Sequence, residues 1–328
     1  MLLTLHRSTL PRPSRFTFLV AALLAAWVAM AQAQAAPLAY VPNEGSGTVS
    51  VIDTATDEVV TTWTVGGKPR GVTASHDGKR LFVSEQQGAV LLVIDTAAGT
   101  VDRRVALGSS PEGVSASPDG QWVAATSEAK NVVALVDAQT AALTATIHTD
   151  GKNPEHAVFS PDSRWLLVSA EDGTQVDIID VSRRQQVSAV AVGRRPRGIA
   201  FTPDGEFAYV ACELDGMVFV LDMSTRKVIA RIEAGEFANG LAMHPSGREL
   251  YVSSGRGAMV SVIDVAKQRV VATIAVGQRP WNMALTPGGA KLYVANGRSR
   301  SVSVIDTGGR QRLKDISVGE LPWGVFIR

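Results

Sequence analysis

A short motif repeated seven times constrains this sequence more than any other feature. The stretch VSVIDTATDEVV begins at Val49, and variants of it return along the chain, each with an aspartate near its centre. The shared aspartates are Asp53, Asp95, Asp137, Asp180, Asp222, Asp264 and Asp306. Their spacings are 42 or 43 residues, so the sequence predicts one structural unit repeated in tandem.

Each unit contains four apolar runs of strand length, separated by turn signals. Between Arg197 and Gly235 these runs are RGIAFTPDG, FAYVACEL, GMVFVLD and KVIARIEAG. Val, Ile, Tyr and Phe dominate them, and no apolar period of 3.6 residues continues past a few positions, so strands rather than helices are predicted. Four strands in about 42 residues are typical of a β-propeller blade.

The turn residues agree with this interpretation. In SPDG at Ser117 and TPDG at Thr202, proline presets φ and glycine supplies the left-handed position that closes a hairpin. The aspartate of each VID motif ends the third strand, where its carboxylate can accept backbone N–H groups in an Asx turn. The seven repeated aspartates are therefore predicted to close turns rather than to form a site.

The two ends of the repeat region complete each other. LAYVPN, from Leu38 to Asn43, matches the second strand of a unit but has no first strand before it. The final stretch LPWGVFIR matches first strands such as KPRGVTAS, so Gly324–Arg328 is predicted to pair with Leu38–Asn43. The predicted fold is all-β: a seven-bladed β-propeller of four-stranded blades, closed by the N-terminal and C-terminal strands in one blade.

Residues 1–35 are predicted to be a Sec-type signal peptide. Three arginines and no acidic residue precede an apolar run from Phe16 to Met30, and small residues follow. The run is short for a membrane span, and cleavage is expected after Ala33 or Ala35. The propeller would then occupy residues 36–328 in the periplasm, as a monomer with no membrane span.

Composition narrows the classes of partner. The net charge of +1 becomes −2 when the three arginines of the leader are removed, and such a near-neutral balance argues against nucleic acid. Cys212 is the only cysteine, so no intrachain disulfide can form. The fold must therefore be held by its core, for which a hydrophobic content of 45% is sufficient.

The units resemble the YVTN-type β-propeller repeat. YVPN at Tyr40, LYVSS at Leu250 and LYVAN at Leu292 carry this resemblance, together with the VSVID and VGxxPxG segments that follow. Seven such repeats behind a signal peptide are most similar to the β-propeller proteins associated with catabolism that depends on pyrroloquinoline quinone (PQQ). The resemblance implies an accessory protein working beside PQQ-dependent alcohol oxidation and an ABC transporter. PQQ binding itself is not implied, and no cofactor is predicted.

An asymmetric function must use positions at which the repeats differ. The start of the first strand and the end of the second lie on one face of a blade, closest to the central channel. The PxG motif at that start varies in its middle residue, and two units replace its glycine. The predicted binding residues at this channel mouth are Arg70, Glu112, Glu155, His156, Arg197, Asn239, Trp281, Asn282 and Trp323. The ends of the second strands add Glu44, Gln86, Glu128, Glu171 and Glu213.

The same residues allow other interpretations. Arg70, Glu112, Glu155 and Arg197 would equally suit a salt-linked plug, and the tryptophans would suit packing between blades. No catalytic residue is predicted because no nucleophile is paired with a base, and no metal is predicted because the ligand set around His156 is incomplete. Three hypotheses remain: a non-catalytic protein that binds a small molecule or a periplasmic protein, a lactonase-like hydrolase with its site at the mouth, and a protein-interaction scaffold.

Overall fold

The computed structural model describes residues 36–328, and the predicted signal peptide over residues 1–35 lies outside the described residues. The described chain forms seven antiparallel sheets of four strands each, which confirms the predicted seven-bladed propeller. Its helices are two single 3-10 turns, Glu128–Lys130 and Glu213–Asp215. No helix among residues 36–328 has the length and apolar character needed to cross a membrane.

The strands follow one another around the ring. Blade 1 contains β1 (Leu38–Asn43), β2 (Thr48–Asp53) and β3 (Glu58–Thr64). Blade 2 contains β4 (Pro69–Ala74), β5 (Arg80–Glu85), β6 (Val90–Asp95) and β7 (Thr100–Ala106). Blade 3 contains β8 (Pro111–Ala116), β9 (Trp122–Ser127), β10 (Val132–Asp137) and β11 (Leu143–His148). Blade 4 contains β12 (Pro154–Phe159), β13 (Trp165–Ala170), β14 (Gln175–Asp180) and β15 (Gln185–Ala191).

The remaining blades repeat this order. Blade 5 contains β16 (Pro196–Phe201), β17 (Phe207–Cys212), β18 (Met217–Asp222) and β19 (Lys227–Glu233). Blade 6 contains β20 (Ala238–Met243), β21 (Glu249–Ser254), β22 (Met259–Asp264) and β23 (Arg269–Ala275). Blade 7 contains β24 (Pro280–Leu285), β25 (Lys291–Asn296), β26 (Ser301–Asp306) and β27 (Gln311–Ser317). The last strand, β28 (Phe326–Ile327), belongs to blade 1.

The core consists of seven apolar clusters, each shared by two successive blades. Because side chains alternate along a strand, one strand serves two clusters. In β25, Leu292 packs toward blade 6 and its neighbour Tyr293 packs toward blade 1. The second and third strands are therefore buried on both faces, which explains their almost continuous apolar sequences. The outermost strands, such as β27, are largely exposed.

The repeated residues close turns, as predicted. The SPDG glycines Gly120 and Gly205 have φ values of +74° and +73°. Each of the seven aspartates accepts at least one backbone N–H from two or three residues ahead. Asp222, for example, accepts the N–H groups of Ser224 and Thr225 at 2.8 and 2.9 Å. An aspartate that is repeated in every blade therefore has a structural role in its own turn.

Blade 1 is closed by both ends of the described chain. Its strand order is β28-β1-β2-β3, with Ala39 opposite Ile327 and Tyr40 opposite Phe326. The N–H of Leu38 donates to the carbonyl of Arg328 at 2.7 Å. Regular pairing covers only Phe326–Ile327 of the predicted Gly324–Arg328. In the other six innermost strands the register shifts just after the PxG start.

The PxG motif requires glycine because the backbones of neighbouring blades approach each other closely at this position, and not because its φ is positive. A Cβ on Gly113 would lie 2.7 Å from the carbonyl oxygen of Glu155 in the next blade, and one on Gly198 would lie 2.5 Å from that of Asn239. The innermost strands thus meet backbone to backbone around the channel. Where this glycine is replaced, a side chain enters the ring of glycines.

Candidate functional site

A cavity of about 380 Å³ lies where the innermost strands begin, at the predicted channel mouth. Seven of the nine predicted residues line it, namely Arg70, Glu155, Arg197, Asn239, Trp281, Asn282 and Trp323. The other two lie directly behind this lining. Glu112 accepts a hydrogen bond from Arg70, and the ring of His156 stacks on that of Trp323. The structure therefore brings all nine positions together, contributed by seven different blades.

The sequence analysis missed three residues that line the same cavity, Asn153, Arg195 and Arg279. All three occupy the position before the proline of the PxG motif and have left-handed φ values between +54° and +62°. This position also differs from repeat to repeat, so the rule that found the middle residue of PxG would have found it. The left-handed turn brings these side chains to the edge of the mouth.

Two ionic networks surround the cavity. In the smaller one, Arg70 pairs with Glu112 and, at 3.1 Å, with Glu44. In the larger one, Arg197 pairs with Glu155 at 2.5 Å. It also pairs with Glu171 at 3.2 Å and with Glu213 at 3.0 Å. Only 12% of the Arg197 side chain is exposed. Arg197 is therefore the buried cation that joins blades 4 and 5.

Glu213 is the second centre of the larger network. Its side chain is fully buried, and besides Arg197 it contacts Arg195 at 3.3 Å and Arg279 at 2.9 Å. Arg195 also pairs with Glu171. The mouth thus contains four arginines and six carboxylates, the latter being Glu44, Glu112, Glu128, Glu155, Glu171 and Glu213. If all six carboxylates were ionised, two of their charges would have no guanidinium to balance them.

The unbalanced charge is concentrated beside blade 3. Burial raises the pKa of Glu112 to about 8, and the nearby charge of Glu155 adds to this, although Arg70 opposes it. Burial and Glu155 likewise raise the pKa of Glu128 to about 7. Burial would also raise the pKa of Glu155, but the Arg197 guanidinium outweighs it and holds that pKa below its usual range. Near neutral pH, protons on Glu112 and Glu128 therefore reduce the repulsion between these carboxylates and Glu155.

The channel is crossed beneath the mouth by an aromatic contact. His156 of blade 4 and Trp323 of blade 1 stack with ring centroids 5.4 Å apart and an interplanar angle of 20°. Because these blades are not neighbours, their contact spans the channel. Asn282 of blade 7 lies beside it and donates from Nδ2 to the carbonyl of Trp323 at 3.4 Å. Burial lowers the pKa of His156 and so favours the neutral ring, although the Asn282 amide beside it acts in the opposite direction. Neither ring nitrogen makes a hydrogen bond of good geometry among the described residues.

The plug and the cavity predicted as alternatives occur together. The arginines and carboxylates form salt-linked walls, the His156–Trp323 stack forms a floor, and space remains above it. Trp281 lies against Gly297 of its own blade, where a Cβ would come within 2.6 Å of the ring. It therefore packs within blade 7 while presenting its ring to the cavity.

The face that carries the SPDG and VID turns also has a groove. It measures about 650 Å³ and is lined by residues of blades 2 and 3 that include His76 and Trp122. Its polar groups are largely engaged in the turns: Ser75 donates to Asp77 at 2.6 Å, and Arg80 donates to the carbonyl of Gln139. The groove is a consequence of turn packing, whereas the mouth gathers residues that the repeat does not require.

Comparison with known proteins identifies the family. The family described as YNCE-like beta-propeller matches residues 14–328, and the chain belongs to it. A search of curated proteins finds no significant match.

Solved structures share the fold at low sequence identity. Hydrazine synthase of Kuenenia stuttgartiensis is 22% identical with a TM-score of 0.76, covering 82% of this chain and 92% of that one. A functionally unknown protein of Desulfotomaculum acetoxidans is 18% identical with a TM-score of 0.77, covering 88% and 98%. A putative 6-phosphogluconolactonase of Bacteroides fragilis is 19% identical with a TM-score of 0.77, covering 90% and 99%. At these identities the likeness shows the fold alone.

Proposed function

We propose that this YNCE-like β-propeller is an exported, non-catalytic protein that binds a small polar molecule at its channel mouth. One observation carries the proposal: residues that differ between repeats converge on one cavity, whereas the repeated residues close turns. A concave site with convergent polar groups and aromatic walls is typical of a ligand site. Glu155 and Arg197 would orient the ligand, and Trp281 would provide a flat apolar wall.

The setting proposed for this function rests on the sequence. The predicted signal peptide supports a periplasmic location. The resemblance to propellers of PQQ-dependent catabolism supports an accessory role beside alcohol oxidation and an ABC transporter, with a small molecule or a periplasmic protein as partner. PQQ is not proposed as a resident cofactor.

A second candidate is a lactonase-like hydrolase. His156 favours it, because both its ring nitrogens are unpartnered and Glu155 is adjacent in sequence, and one similar structure is titled a putative 6-phosphogluconolactonase. Binding is preferred because His156 is stacked on Trp323 and is not among the residues that line the cavity, whereas a general base must lie within hydrogen-bond reach of the proton it takes. The binding and hydrolase hypotheses are separated by adding 6-phosphogluconolactone and following, in a pH-stat, the protons that lactone hydrolysis releases. Enzyme-dependent hydrolysis that His156→Ala abolishes would support the hydrolase.

Tryptophan fluorescence tests the binding function, because Trp281 and Trp323 line the cavity. We expect a saturable change with one class in a panel of alcohols, aldehydes, carboxylic acids, amines and PQQ. Trp281→Ala should abolish this binding and leave the blades folded. Asp222→Ala, at an Asx turn away from the mouth, should leave the affinity unchanged. Equal binding by the wild type and Trp281→Ala would contradict the proposed site.

A further inference from the structure

Three carboxylates of the mouth lie unusually close together. Glu112 is in the first strand of blade 3, Glu155 is in the first strand of blade 4, and Glu128 begins the 3-10 turn after β9. Each offers one oxygen, and these oxygens lie within 4.8 Å of one another. Oxygens on opposite sides of one Ca²⁺ are about 4.6–5.2 Å apart, because Ca–O bonds measure about 2.3–2.6 Å. The spacing therefore suits a single ion of that size.

An unsatisfied oxygen points to a missing partner at this cluster. Glu112 is 0% exposed, and its Oε1 accepts from Arg70 and, at 3.0 Å, from Gln86. Its Oε2 is buried and has no hydrogen-bond partner among the described residues. A buried polar atom without a partner is costly, and such atoms in folded proteins commonly mark a bound water or ion.

The arginines of the mouth leave this oxygen unpaired. Arg70 contacts only Oε1 of Glu112, and the Nε of Arg70 is itself buried without a hydrogen-bond partner among the described residues. Glu128 accepts a hydrogen bond from the hydroxyl of Ser110 at 2.8 Å, but it makes no ion pair within residues 36–328. Arg70 is shared between Glu112 and Glu44. Arg197 is shared between Glu155 and two further carboxylates outside the cluster. With all six carboxylates ionised, the mouth would carry two negative charges more than its four arginines balance, and one divalent cation would neutralise them.

We propose that Glu112, Glu128 and Glu155 bind a divalent cation in the wall of the channel mouth, with Ca²⁺ preferred. Carboxylate oxygens are the ligands that hard cations select, and Ca²⁺ tolerates an irregular ligand set better than Mg²⁺, which requires near-octahedral geometry. Water in the adjoining cavity would complete the coordination. The ion would join blades 3 and 4 and present a positive charge to a ligand in the mouth.

Titration with metal alone tests this site separately from the proposed small-molecule site. CaCl₂ is titrated calorimetrically into EDTA-treated, desalted protein, and we expect one site with a Kd below about 1 mM, the weak limit of extracellular calcium modules. Glu128→Gln should weaken binding at least tenfold. Glu236→Gln changes a carboxylate that is 73% exposed in the loop between blades 5 and 6, and this variant should bind Ca²⁺ as the wild type does.

A second readout uses the wild type and does not depend on how the variants fold. Tb³⁺ in place of Ca²⁺ should show luminescence sensitised by Trp281 and Trp323, and added Ca²⁺ should quench it competitively. Saturable binding that Glu128→Gln weakens, with matching Tb³⁺ emission, supports the site. Absence of saturable Ca²⁺ binding by the wild type, or equal binding by Glu128→Gln, overturns it. Neither result decides the outcome of the fluorescence screen with organic ligands, so the cation site and the small-molecule site are tested separately.

Discussion

Replacing Arg197 with alanine should strongly destabilise the propeller. Arg197 is the only ionic partner of Glu155 among the described residues, whereas Glu171 retains Arg195 and Glu213 retains Arg195 and Arg279. The variant would therefore leave a buried Glu155 charge beside Glu112 and Glu128. The loss of stability would arise from the uncompensated carboxylate of Glu155 and not from the missing contacts of the arginine side chain.

The expected magnitude follows from that uncompensated charge. Removing one partner of a buried ion pair costs about 3–5 kcal/mol, which is a large share of the roughly 5–15 kcal/mol that stabilises a domain. Adding Glu155→Gln to Arg197→Ala should recover much of the loss, because the unpaired charge is then gone. This recovery would appear as a coupling energy in a double-mutant cycle.

Urea denaturation followed by near-UV circular dichroism measures the free energies. Arg183→Ala is the control, because Arg183 is 73% exposed, lies 3.7 Å from Asp180 and should change the free energy of unfolding by less than about 0.5 kcal/mol. If Arg197→Ala costs no more than this control, the mouth does not contain a buried charge network. A large loss that Glu155→Gln fails to relieve would refute the assignment of the cost to Glu155.

Four further outcomes are expected. Deleting Gly324–Arg328 should lower the melting temperature sharply and promote aggregation, because it exposes the edge of β1; an unchanged calorimetric melt would contradict closure by both ends. In EDTA, the free energy of unfolding should fall from pH 6 to pH 8.5, because the raised pKa values of Glu112 and Glu128 make the folded chain bind more protons than the unfolded chain. The slope is at most about 1.4 kcal/mol per pH unit for each group. Urea titrations that show a rise in the free energy of unfolding over this range would refute the expectation. Asp222→Ala should lower the melting temperature without changing ligand affinity, which parallel melts and fluorescence titrations check. Intact-mass analysis of periplasmic protein should give a chain starting at Gln34 or Ala36, and full-length chain in the membrane fraction would contradict cleavage.

The fold could be predicted from the sequence because its determinants are local and repeated. The spacing of the aspartates gives the number of blades, and the alternation of apolar residues gives the faces that pack between them. Closure of blade 1 followed from two incomplete units at the ends of the repeat region. Each inference used a strand period or a turn residue whose effect extends over a few positions.

The site could be predicted only in part. Differences between repeats placed nine residues at the mouth, and the structure brings them together. The pairing of Arg279 with Glu213 and the stacking of His156 on Trp323 were not predictable, because both join blades through side-chain reach and not through sequence spacing. The groove beside Trp122 was missed because it arises from the way two turns pack.

Hydrogen exchange with bound ligand tests the central claim most directly, namely that function resides where the repeats differ. The first ligand that saturates the fluorescence change is added, and backbone amide exchange is compared with that of the free protein by mass spectrometry. The account predicts slower exchange in peptides that contain the PxG starts, around Arg70, Glu155 and Trp281, and no change at the turns that contain Asp77 and Asp222. Protection confined to those turns, with unchanged exchange at the channel mouth, would contradict it.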